Sequence, residues 1–260
     1  MTRIHPTAVI DAKAEIDETV EIGPYATVGA DVRLAAGVVL RSHSHITGHT
    51  EVGSETVIFP FASIGEIPQD LKYKGEPTRL AIGARNQIRE YVTMNPGTAG
   101  GGGLTSVGDD NVFMNHCHVA HDCQVGSNVI MSNSVGLAGH VRIEDYAVLA
   151  AMSGVHQFAR VGESAMLGAY AGLNQDLSPF TIGFGVPAKV IAMNRVNAER
   201  RGFPKERVKE IERAFRIVFR SGLRPRDAFS QVRAELPDSR DAEHIVAFLE
   251  KSERGFCRIR

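Results

Sequence analysis

The sequence predicts a parallel β-helix, mainly β with a short α-helical tail, and three observations carry that prediction. An aliphatic residue recurs at every sixth position without a miss: Ile4, Ile10, Ile16, Ile22, Val28, Leu34, Leu40, Ile46, Val52, Ile58 and Ile64. Four residues after each of the first ten stands a small or β-branched residue, as at Ala8, Ala14, Val20, Ala26, Ser44, Thr56 and Ala62. Late in the chain this period gives way to the three-and-four spacing of a helix. Neither a helix nor an alternating strand has a period of six. Triangular coils of three six-residue faces do, each coil burying its inward residues against the next. Residues 18 apart then stack at the sheet spacing of roughly 4.8 Å, which gives about nine coils and a prism on the order of 40 Å long.

The period continues through Ile82, Ile88 and Met94, and again from Val107 through Phe113, Val119, Val125, Met131 and Leu137 to Leu173. Two stretches interrupt it. Residues 65–81 keep the phase formally, since 82 − 64 = 18, yet Asp70 and Glu76 fall where an aliphatic is required and Pro68, Gly75 and Pro77 punctuate the run. This is a loop thrown out of the prism. In residues 95–106 the phase slips by one, since 107 − 94 = 13, and four consecutive glycines predict a mobile loop. No Gly-Lys-Ser/Thr follows, so it is not a Walker phosphate loop. Loops that leave a regular scaffold often carry function.

The solenoid is expected over 1–190 and a helical domain over 191–260. In the latter, Val208, Ile211, Phe215 and Val218 mark a first helix stopped by Gly222. A second is predicted over 226–235, and a third over 241–253 capped by Asp238 or Ser239. Such a domain would cover the strand edges of the last coil. The formal net charge of −1 and the lack of a basic tail speak against nucleic acid as a partner. Three cysteines suit a reducing compartment rather than a disulfide framework. The repeat begins by residue 4, leaving no room for a signal peptide, and no apolar run reaches membrane-spanning length. A cytoplasmic protein without stable membrane insertion is the expectation.

Residues 115–123, Asn-His-Cys-His-Val-Ala-His-Asp-Cys, concentrate the reactive side chains. Cys117 and Cys123 each sit four residues after a core aliphatic, so both thiols point inward and the segment is not read as a metal site. His116, His118 and His121 fall on outward or corner positions. Gly139 lies 18 residues from His121, which sets His140 beside His121 one coil on, with His156 near the same edge. The chemistry that fits is acyl transfer: a neutral imidazole deprotonates a hydroxyl as it attacks a thioester carbonyl. Asp122 would orient the ring, provided a corner bends the chain there, and the Gly139 amide would stabilise the oxyanion. The competing reading is that solvent-facing histidines on a solenoid are polar filler.

The strings QDLKYKGEPTR (69–79), GGGLTSVGDDN (101–111), AHDC (120–123), LAGHV (137–141), GVHQF (154–158) and RRGF (200–203) resemble the acyl-carrier-protein-dependent UDP-N-acetylglucosamine O-acyltransferases, which open lipid A biosynthesis. The resemblance covers essentially the whole chain. It implies a left-handed prism and a homotrimer with active sites between neighbouring prisms. The donor would be an (R)-3-hydroxyacyl thioester on the phosphopantetheine of acyl carrier protein, with no further cofactor and no metal. By resemblance, His121 is the general base, Asp122 its partner and Gly139 the oxyanion donor. Gln69, Asp70 and Lys72 are substrate contacts reaching from the adjoining subunit, and His118, His140, His156 and Gln157 contact the sugar nucleotide. Asn194, Arg200 and Arg201 match the diphosphate-binding end, where paired guanidinium forks suit phosphate. Ala169, with Met166 nearby, takes the place of the acyl-chain ruler.

Several members of that family carry histidine where this chain has Asn95 and Pro187, and glutamate near the nucleotide where it has Val196. Those departures leave open an acceptor bearing a 3-amino group in place of the hydroxyl. A zinc-dependent hydratase like the gamma-class carbonic anhydrases is the alternative of another class. Lys209, Arg213, Arg216 and Arg220 form a basic stripe that would suit an acidic carrier protein, or simply a solvated helix face.

Overall fold

The computed structural model describes residues 3–259. Short strands, most of two residues, stack in three parallel sheets that form the faces of a left-handed prism. Face I has 11 strands and begins at Arg3–Ile4; face II has 9, from Val9–Ile10 to Gly172–Leu173; face III has 8, from Glu15–Ile16 to Arg160–Val161. Hexad residues pair with their equivalents one coil on, as Val119 does with Leu137 and Leu137 with Val155. The nine strands of face II match the coil number that the repeat predicts.

The inward column explains the period. Leu40, Ile46, Ile58, Ile64, Ile88, Met94 and Val119 are 0–1% exposed, and so are Val20, Ala26, Ser44 and Cys117 four positions after a hexad residue. Each buried aliphatic contributes about 1.5–3 kcal/mol. All three cysteines are free and buried, and burial pushes the Cys117 and Cys123 thiols up to about 11 and about 12. The faces meet at tight corners where one residue adopts left-handed backbone, as Asp122, His140 and Phe158 do at φ 60°, 62° and 65°. Corner side chains are therefore thrown outward and stacked coil upon coil.

The two interruptions are shorter than the sequence suggests. Arg79–Ile82 and Leu104–Val107 pair with each other across face III, so 79–81 and 104–106 belong to the sheet. Ile82 stacks on Val52, not on Ile64, which lies on face II against Met94. The agreement of phase between Ile64 and Ile82 is thus coincidental, because the chain has left one face and returned on the next. Both loops leave face II and re-enter on face III. They project from one edge of the prism, in successive coils.

Face I ends in an antiparallel hairpin, Thr181–Phe184 with Lys189–Met193. Four helices follow: α1 Arg195–Arg200, α2 Lys205–Arg220, α3 Pro225–Glu235 and α4 Arg240–Glu250. The short α1, capped by the Asn194 side chain, has no counterpart in the sequence reading. Ser239, not Asp238, caps α4 by accepting a hydrogen bond from the Ala242 amide. α4 leans on face III, where Arg160 donates to Asp176 and to the Phe248 carbonyl and lies 4.2 Å over the Phe248 ring. The tail pairs with the last coil through a bridge between Phe256 and Asp176. No helix among the described residues is long and apolar enough to cross a membrane.

Candidate active site

Along the edge between faces II and III, successive coils carry the loop 65–78, the loop 95–103, His121–Asp122, Gly139–His140 and Gln157–Phe158. Adjacent residues in a strand point apart, but His121 and Asp122 occupy the corner itself, and the left-handed turn at Asp122 brings the two side chains together. His121 Nδ1 lies 2.8 Å from Asp122 Oδ2, and the Asp122 side chain is 1% exposed against 15% for His121. A buried carboxylate needs donors. Asp122 accepts from the Thr98 amide at 2.8 Å and the Thr98 hydroxyl at 2.7 Å as well as from His121.

This arrangement leaves His121 Nε2 without a protein partner among the described residues, on a side chain that is 15% exposed. A Cβ on Gly139 would stand 2.7 Å from that nitrogen, so glycine is what permits the approach of the two coils here. The Gly139 amide donates to no described acceptor, whereas the next amide, His140, donates to the His121 carbonyl at 3.0 Å. His140 packs edge-on against His121, with centroids 5.1 Å apart, and its other face stacks on Phe158 at 4.4 Å. Burial pushes the His140 imidazole below its ordinary value, opposed by the charge of Asp122.

Two hollows flank the edge. On the face III side a cavity of about 840 Å³ is lined by Asp122, His140, Phe158, Arg142, Lys72 and Lys251, among others. On the face II side a groove of about 670 Å³ runs over Gly136, Gly154 and Gly172, walled by His118, His156, Leu137 and Val186. The three glycines stack directly on one another, and a Cβ on Gly136 or Gly154 would meet nothing within 4 Å. His118 donates to or accepts from Thr93 Oγ1 at 2.7 Å, and burial pushes its imidazole down. Ala169, half-buried, lies at the corner that leads onto the Gly172 strand, and Met166 is on the neighbouring face I strand.

Within one chain, Asp70 and Lys72 line the cavity beside Asp122, because their loop leaves the same edge two coils below His121; Gln69 is exposed outside it. His156 faces the groove rather than His140, whose neighbour is Phe158 at the strict 18-residue spacing. Gln157 is exposed at the edge. The glycine run 100–103 is not a loose loop: the Gly101 and Gly103 amides both donate to the Thr98 carbonyl, which fixes the turn over Asp122. Asn194 and Arg201 lie far from this edge in topology, at the corner between faces III and I. There Asn194 donates to the Ser164 carbonyl, and Arg201 binds Glu163 and Ser164 and lies 3.7 Å over the Tyr146 ring. Arg200 is exposed on α1. Of the basic stripe on α2, Arg213 is paired with Glu235 and Arg216 with Glu212.

His121, Asp122 and His140 are the one group among the described residues whose ligand-type atoms come within 4.8 Å of one another. Both Asp122 oxygens already accept hydrogen bonds, and His121 Nδ1 is spent on one of them, a donor–acceptor chain rather than three lone pairs converging on an ion. Residues that the sequence reading missed are Thr98, Arg142, Phe158 and Lys251. Only Phe158 carried a signal, being 18 residues from His140.

The left-handed parallel β-prism with a helical tail defines the chain as a β-helical acyltransferase, as its relatives show. The chain is 50% identical over 258 residues to the acyl-[acyl-carrier-protein]–UDP-N-acetylglucosamine O-acyltransferase of Thermodesulfovibrio yellowstonii, covering 99% of this chain and all of that protein. It is 47% identical to the enzyme of the same name from Alkalilimnicola ehrlichii over a similar span. LpxA from Acinetobacter baumannii, a solved structure, superposes with a TM-score of 0.95 at 40% identity, covering 98% of this chain and 99% of that one. Residues 176–257 match the family model described as the second domain of UDP-N-acetylglucosamine O-acyltransferase. The chain belongs to the UDP-N-acetylglucosamine O-acyltransferase family.

Proposed function

We propose that this enzyme transfers an (R)-3-hydroxyacyl group from acyl carrier protein to the 3-position of UDP-N-acetylglucosamine, the first step of lipid A biosynthesis. The observation that carries the reading is His121: Nδ1 tied to the buried Asp122, Nε2 without a protein partner among the described residues, and an unspent Gly139 amide beside it. Nε2 takes the proton of the sugar hydroxyl as its oxygen attacks the thioester carbonyl. The Gly139 N–H donates to the oxyanion that forms. Collapse breaks the C–S bond, and the imidazolium returns its proton to the departing phosphopantetheine thiolate, so no covalent acyl-enzyme is formed.

The groove over Gly136, Gly154 and Gly172 suits an acyl chain, being apolar, open and closed off toward the helical end by Val186. Ala169 stands near that end as the proposed length ruler. The position of Arg200 and Arg201 on another edge supports a site completed by a second copy. Leu71, fully exposed at the tip of the loop 65–78, supports a trimer in the same way. The test is mass spectrometry of products from His121→Ala and wild type, offered several acyl lengths and both the hydroxyl and the 3-amino acceptor. Loss of nearly all transfer in a folded trimer is expected. Retention of most activity would reject the base, and an amide as the main product would move the acceptor to the amino sugar.

A further inference from the structure

We infer that the glycine-rich loop 95–103 is a brace for the catalytic pair, and that Thr98 is the positioning residue through which it acts. The inference rests on the reading of His121 and Asp122 as base and partner. Thr98 is 5% exposed and stands 24 residues from Asp122 in sequence, one coil below it. Its amide donates to Oδ1 and its hydroxyl to Oδ2, so a single residue holds both carboxylate oxygens. The Asp122 amide is held in turn by Thr105 Oγ1 at 2.8 Å, at the point where the loop rejoins face III.

The loop can reach the carboxylate only because of its composition. A Cβ on Gly101 would fall on the carboxylate of Asp122, so the chain crosses the acid at a distance that only glycine allows. The turn is closed from within: the Gly101 and Gly103 amides donate to the Thr98 carbonyl at 3.0 and 2.8 Å, and Gly97 donates to the Arg79 carbonyl at 3.1 Å. Two donors, one on each carboxylate oxygen, fix its plane. The remaining lone pair of Oδ2 is thereby aimed at His121 Nδ1, which sets the tautomer that leaves Nε2 able to accept a proton. Without the hydroxyl the carboxylate keeps only the amide bond to Oδ1, and the direction of Oδ2 toward the imidazole is no longer fixed.

The experiment compares Thr98→Val, Thr98→Ser and Asp122→Asn, singly and as Thr98→Val/Asp122→Asn. Valine keeps the size and the backbone amide and removes only the hydroxyl. We expect Thr98→Val to lower kcat about tenfold to a hundredfold, the scale of one hydrogen bond to a charged group, with KM for the UDP-sugar unchanged. Serine should restore most of the rate. In the Asp122→Asn background the valine change should cost almost nothing further, because its effect passes through the carboxylate. An independent readout is the hydrogen-bonded Nδ1 proton of His121 in the resting enzyme, observed by proton NMR. It should be lost to exchange in Thr98→Val and return in Thr98→Ser. An unchanged kcat together with an unchanged proton signal in Thr98→Val would overturn the brace, as would full additivity of the two substitutions. Full activity in His121→Ala would overturn the base instead, and the NMR signal would still decide the role of Thr98.

Discussion

Two edges of the prism are built by the same left-handed corner and both carry histidines, yet they do different things. Between faces I and II, Tyr25, His43, Phe61, Tyr91 and His116 form a ladder of rings with centroids 4.9–5.2 Å apart and planes within 16° of parallel. His43 and His116 meet ring faces there and pair with no carboxylate among the described residues. Between faces II and III, His121 meets a buried carboxylate held by two further donors, with a loop folded over it and a hollow on either side. The period places a histidine outside; only its partners give it chemistry.

The largest expected effect tests this contrast directly. His121→Ala should lower kcat by about 10²–10⁴, the usual range for a general base, while His116→Asn, which keeps a residue tolerant of left-handed backbone, should leave kcat within about twofold in the same assay. Comparable losses at both positions would erase the distinction between the edges.

Most of the fold was legible because the prism is nearly one-dimensional: one inward residue in six decides burial, and 18-residue stacking decides neighbours. The contact of Gly139 with His121 and the inward cysteines followed from that arithmetic, whereas the pairing of His121 with Asp122 needed a bend at the corner that the spacing alone does not supply. What escaped it lies outside the repeat. Thr98 reaches Asp122 through a loop of irregular length, and Lys251 reaches the cavity from the tail after α4. The excursions shift the stacking distance, so that Ile82 meets Val52 at 82 − 52 = 30 rather than 18. No spacing rule predicts contacts made after such an excursion. Arg201 shows a different limit: a guanidinium suits phosphate, but it equally suits Glu163 and the Tyr146 ring that it meets within this chain, and the sequence names neither neighbour.

The groove sharpens the comparison further, since it exists on one side of the reacting edge only. Gly154→Leu should fold normally, because a Cβ there meets open space, while its side chain fills the groove. Transfer of long acyl chains should fall by about tenfold or more relative to short ones, as read from competing donors by product mass spectrometry. An unchanged chain-length profile would place the acyl chain elsewhere. On the ladder edge the expected effect is structural and smaller. His116→Asn removes one ring stack with Tyr91 and should reduce stability by about 0.5–1.5 kcal/mol, measured by denaturant unfolding.

The third edge offers the smallest effect and the finest control, since it too pairs a histidine with an acid. His244 on α4 binds Glu144 of the prism, Nε2 to Oε2 at 2.9 Å, with Glu163 and Asp241 also facing it and the Phe248 ring 6.5 Å away. The hydrogen bond to Glu144 raises the imidazole above its ordinary 6.5. Its contribution is therefore fully present below pH 6.5 and disappears as the pH rises through the higher folded-state value. Both side chains are about a third exposed, at 36% and 34%, so screening holds the contribution below about 1 kcal/mol. His244→Gln should be less stable than wild type at pH 5.5 and equal to it at pH 9, with transfer activity unaffected. A loss of activity at this edge would mean that a histidine–carboxylate pair matters wherever it stands. Unchanged turnover with the pH-dependent gap in stability would show that the loops and hollows around His121 separate a reacting pair from a docking one.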